Sequence, residues 1–212
     1  MEKLNLKTFE YIPAEPDKNM ILTRLGYRKT STLISPDYQK KLEDIINRGL
    51  LLCNTRGVYA RLEITDRSTE HVVLNNDAQL QSASLSKLLS KSREVVLMAS
   101  TVGSEITDKI QKEVESGDAS LGVILDSLAS EAADSALDWM VDFINKFLRK
   151  DALRLTKNRY SPGYGDLLLE NQKIIYDLLE LQQLGIELTK SFMLVPEKSV
   201  IAIAGIEEII KL

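Results

Sequence analysis

Apolar residues recur at spacings of three and four through Leu121, Leu125, Leu128, Ala132, Ala136, Trp139, Phe143 and Phe147, in a stretch that opens at Gly117-Asp118 and runs toward Lys150. That period predicts one long helix whose apolar stripe is core. Beside the stripe, Ser127, Ala129, Ser130, Ala133 and Ser135 surround Asp134, so the helix stays thin where something must come close.

Other stretches change period. Val58 to Ile64 alternates apolar and polar, and His71-Val72-Val73-Leu74 follows a polar turn, which predicts a hairpin. Arg93 to Thr101 is β-branched and apolar enough for a buried strand, and Val102-Gly103 turns into a helix from Ser104 to Val114. Ser35-Pro36 caps and opens a helix carrying Leu42, Ile45, Ile46, Gly49 and Leu50, fading near Asn54. Gln81 to Leu89 reads as a short helix, and Ala152 to Thr156 as a strand. A helix with Leu168, Ile174, Ile175, Leu178 and Leu179 ends before Gly185, with Asp166 as its cap and its N-terminus offering a place for a carboxylate. Leu188 to Val195 and Ser199 to Gly205 are two β-rich runs divided by Pro196-Glu197-Lys198, which reads as a second hairpin. The expected fold is α+β, an antiparallel sheet flanked by helices. Residues 1–35, with Pro13, Pro16 and a short helix at Met20 to Leu25, form an N-terminal arm, and residues 36–212 form the α+β domain. An arm of this kind often packs on another subunit, which leaves a homo-oligomer open.

With 27 basic and 31 acidic residues the net charge is -4, and the charges are interspersed, so nothing draws the chain to nucleic acid or to an anionic membrane. No apolar run is long enough to span a bilayer and the start lacks a secretory signal, which predicts a cytoplasmic protein. Cys53 and His71 are the only residues of their kinds, so neither a disulfide nor a Cys/His metal site can be built. Both read as structural.

The segment Arg159-Tyr160-Ser161-Pro162-Gly163-Tyr164-Gly165-Asp166 carries a guanidinium and two phenols on a glycine-hinged loop. Arg159 suits a carboxylate because its planar fork gives two parallel hydrogen bonds. Pro162-Gly163 alone is also the signature of a type II turn. Downstream lies Leu188-Thr189-Lys190-Ser191-Phe192-Met193-Leu194-Val195-Pro196-Glu197-Lys198-Ser199-Val200. An arginine followed after three residues by Gly-Tyr, and then this L-T-x-S segment, resembles the activation domain of cobalamin-dependent methionine synthase. Ala99-Ser100-Thr101-Val102-Gly103 resembles a further element of that family, and the likeness extends from about Val95 to Gly205.

The resemblance implies a module that binds S-adenosylmethionine and gives its methyl group to an oxidised corrinoid. It implies Arg159 for the ligand's carboxylate, Gly163 and its neighbours for main-chain bonds to the adenine, and Tyr164 against the adenine or the sulfonium. It places Asp134 on the ammonium, with Glu131 or Asp138 as alternatives and a solvated carboxylate as the plain reading. The cofactors implied are S-adenosylmethionine and a cobalamin presented by a partner, a separate corrinoid methionine synthase chain. A small electron carrier such as flavodoxin or ferredoxin completes the expected set. The family's further ligand-contacting tyrosine has no counterpart, since no tyrosine follows Tyr176. Two other readings stand beside this one: a binding module for another corrinoid methyltransferase, and a structural subunit without ligand.

Overall fold

Strand β5 (Glu94–Thr101) is buried along nearly its whole length, because it lies in the middle of the sheet with both faces covered. The computed structural model describes residues 4–28, 32–75 and 77–209; the outer ends of the arm and of the domain, and part of the join between them, lie outside the described residues. The other strands are β1 (Lys7–Phe9), β2 (Arg56–Arg67), β3 (His71–Leu74), β4 (Gln79–Gln81), β6 (Leu153–Leu155), β7 (Glu187–Leu188), β8 (Leu194–Val195) and β9 (Ser199–Glu208). The main sheet runs β4-β3-β2-β5-β9-β6, with β1 also on β2. Every pairing is antiparallel. The α+β expectation and the first hairpin therefore hold.

The helices are α1 (Lys18–Arg24), α2 (Pro36–Leu50), α3 (Ala83–Leu88), α4 (Ser104–Glu115), α5 (Ala119–Leu148) and α6 (Asn171–Leu178). Period-two alternation splits β5 between two cores: Val96 and Met98 point to α5, while Val95, Leu97 and Ala99 point to the layer of α3, α6 and the C-terminal loops. α5 is the long helix the periodicity predicts. Its small residues admit neighbours of this same chain: Ser100 Oγ donates to the Ala133 carbonyl at 3.0 Å, and Ala129, Ala132 and Ala133 are buried against the cluster that α2 and α4 complete. A Cβ on Gly49 of α2 would stand 2.5 Å from Leu128, so α2 and α5 touch where a glycine lets them.

The arm is packed in. β1 pairs residue by residue with Gly57 to Tyr59, and Ile12 is fully buried. The Ile12 amide donates to the Thr55 carbonyl at 2.8 Å, and Thr55 Oγ1 returns a bond to the Ile12 carbonyl at 2.6 Å. Phe9 meets Trp139 and Phe143 edge to face at 5.3 and 5.0 Å.

Two expectations need correction. Ser199–Glu208 does not pair with the run before Pro196; it enters the main sheet between β5 and β6, with Ser199 opposite Thr101, while β8 pairs with β7. Turn chemistry is outweighed here by burial, since β9 is covered on both faces and only a central position covers it. The helix after the loop is shorter than the apolar spacing suggests, starting at Asn171 and leaving Leu168 exposed, and Asp166 does not cap it.

Candidate functional site

The segment after β6 stays beside β9, where Tyr160 exchanges two backbone hydrogen bonds with Ile203 at 2.9 and 2.8 Å. That short bridge fixes the direction of Arg159. Tyr160 packs against the core on one face of the sheet, and Arg159 turns to the other, where Nη1 donates to Asp138 Oδ1 of α5 at 2.6 Å. The Tyr164 amide then donates to the Ser161 carbonyl at 3.2 Å, with Gly163 at φ +91°, so Pro162-Gly163 is a type II turn. A Cβ on Gly165 would fall 2.3 Å from the Tyr160 hydroxyl, which explains the second glycine without a ligand.

Asp166 holds this loop to α3. It accepts from Ser82 Oγ at 2.6 Å, from the Ser84 amide at 3.1 Å and from the Tyr160 hydroxyl at 3.3 Å. The Ser82 bond first, then the Ser84 amide, holds its carboxyl well below the usual carboxylate range. A folded-state value below the unfolded one stabilises above about pH 4 and is lost as pH falls through the lower folded value. Asp166→Asn should therefore flatten the acid limb of stability, read by urea unfolding between pH 7 and 3. An unchanged pH dependence would show that the bonds are not held in solution.

An open cavity of about 770 Å³ lies between the arm, α5 and Arg159, within the range of small-molecule sites. Its walls carry Arg24, Glu131, Asp134, Asp138 and Arg159. Arg24 Nε donates to Glu131 Oε2 at 3.0 Å and Nη2 to Asp134 Oδ2 at 2.5 Å. Trp139, the chain's one tryptophan, lines the same space, and Glu15, Asp17 and Asp142 add further negative charge. Arg159 and Asp134 are thus brought together, as are the alternatives Glu131 and Asp138. Gly163 and Tyr164 are not part of this lining, and Tyr164 is 71% exposed.

Arg24 carried no local signal, because an arginine in the last turn of a short helix reads as a macrodipole partner. Cys53 is set aside: burial pushes its thiol up to about 11, so no thiolate is present near neutrality. His71 Nδ1 lies 2.8 Å from Ser68 Oγ beside Asp66, outside the cavity. Among the described residues no group of three His, Cys, Asp or Glu side chains could hold a metal ion, and no helix is long and apolar enough to cross a membrane.

A scan of protein-family models finds no match to this chain, and a search of curated proteins finds none. Among solved structures, a crystal structure of the MetH reactivation domain bound to AdoHcy matches with a TM-score of 0.73, covering 100% of this chain and 81% of that one. The fold is that of the MetH reactivation domain. Identity over the match is 15%, so the likeness to the MetH reactivation domain carries the architecture. The site rests on the cavity's own residues.

Proposed function

We propose that this chain binds S-adenosylmethionine in the cavity of α5 and the arm, and supplies its methyl group for reductive methylation of oxidised cobalamin on a separate corrinoid methionine synthase chain. The observation that carries this reading is a cavity, on the MetH reactivation fold, that brings a guanidinium and several carboxylates together beside an aromatic ring. Arg159 takes the carboxylate, Asp134 the ammonium, and the ring of Trp139 offers the sulfonium a cation–π surface. Gly163 and Tyr164 lie outside the cavity lining, so they meet the adenine where it extends past the cavity beyond Arg159. The transfer needs no protein base: the residues bind the amino acid group and orient the methyl, so proximity carries the protein's share. The corrinoid supplies the nucleophile when bound, and a small electron carrier of the flavodoxin or ferredoxin kind supplies the electron.

The test uses an inactivated corrinoid methionine synthase. Adding this chain, S-adenosylmethionine and reductant should restore turnover. Binding by calorimetry without restored turnover would favour service to another corrinoid methyltransferase. One observation favours the structural subunit, namely that Glu131, Asp134 and Asp138 are each already paired with an arginine. Absence of heat at millimolar ligand would decide for it.

A further inference from the structure

Arg24 sits at the end of α1 and its guanidinium spans two carboxylates one turn apart on α5. The two differ in setting. Glu131 has a side chain only 10% exposed, whereas that of Asp134 is 45% exposed. A nearly buried carboxylate without a partner is strongly disfavoured, while an exposed one is readily hydrated. The Asp134 contact is the shorter, 2.5 Å against 3.0 Å, but it is the one whose loss water can make good, so Arg24 yields Asp134 more readily than Glu131.

An ammonium and a guanidinium compete for the same carboxylate lone pairs. We propose that Arg24 is a built-in competitor for the ligand's ammonium: it keeps Glu131, yields Asp134 when ligand enters, and so lowers the resting affinity of the site. This deepens the S-adenosylmethionine reading and rests on it. It also sets Glu131 aside as the ammonium's partner, because that nearly buried carboxylate stays committed to Arg24. The arm need not detach. Ile21 anchors α1 in the core formed with α2 and α5, so only the end of the Arg24 side chain has to move.

The experiment is a titration of the full chain with S-adenosylmethionine, followed by Trp139 fluorescence, in wild type and Arg24→Gln. The variant should bind roughly fivefold tighter, the equivalent of an exposed ion pair of about 1 kcal/mol. A second probe, 5′-dimethylsulfonio-5′-deoxyadenosine, keeps the nucleoside and the sulfonium but lacks the amino acid group, and should bind both proteins alike. Because Arg24→Gln leaves Glu131 alone, the double variant with Glu131→Gln is measured beside it and should show the same tightening. Equal or weaker binding of S-adenosylmethionine by both variants, or an equal change for both probes, overturns the competitor while the binding reading stands. A wild-type protein that binds neither probe at millimolar concentration removes the reading and the competitor with it.

Discussion

Arg159→Ala should weaken S-adenosylmethionine binding by roughly 10- to 150-fold, the loss expected for a charge-assisted pair of about 1.5–3 kcal/mol. Stability should fall by no more than about 1 kcal/mol, because the pair that Arg159 makes in the fold reaches a carboxylate open to solvent. Asp138 is 69% exposed and can exchange its guanidinium for water. Arg159→Lys should fall between the two, since an ammonium keeps the charge and loses the fork. Calorimetry gives the affinities and thermal unfolding the control. Affinity unchanged within twofold in Arg159→Ala would place the ligand's carboxylate elsewhere.

Ile12→Ala should lower stability by about 3 kcal/mol, within the usual cost of truncating a buried isoleucine, and the unfolding midpoint by roughly 6–12 °C for a chain of this size. Ile12 closes the core on the α5 side of the sheet, and a Cβ placed on Gly57 would lie 2.8 Å from its Cδ1. The same variant should change ligand affinity, because Pro13, Glu15, Asp17 and Met20 follow directly and form one wall of the cavity. A midpoint unchanged by circular dichroism would show that the arm is not docked in solution.

The parts of the fold readable in advance were those whose period and burial agree. β2 alternates because one of its faces is less covered, and α5 repeats at three and four because one stripe is buried. The place of β9 is not legible locally, since Pro196-Glu197-Lys198 is good turn chemistry and nothing in it reveals pairing of Ser199 with Thr101. The unbroken apolar run Val200-Ile201-Ala202-Ile203-Ala204 was the usable signal, because a strand apolar at consecutive positions belongs between two others. In the site, Arg159 and Asp134 were legible as chemistry. Arg24 was not, since its pairing with α5 depends on how the arm folds back, and Trp139 passed as core because it lies on the apolar period. Asp166 is placed in sequence to cap the helix that follows it, whereas it bonds to Ser82 and Ser84 at the start of α3, brought near only by the fold.

The way β1 lies on β2 bears on how the chain can be shortened. β2 is long enough to use one edge twice, giving Gly57 to Tyr59 to β1 and Ile64 to Arg67 to β3. A fragment beginning at Ser35 would bare the first of these lengths, leaving unpaired amides and carbonyls next to Val58, a ready template for strand-to-strand association. Such a fragment should precipitate or form ladders of higher mass, and since it also lacks the cavity wall that Pro13 to Arg24 supply, ligand binding is better tested in the full chain.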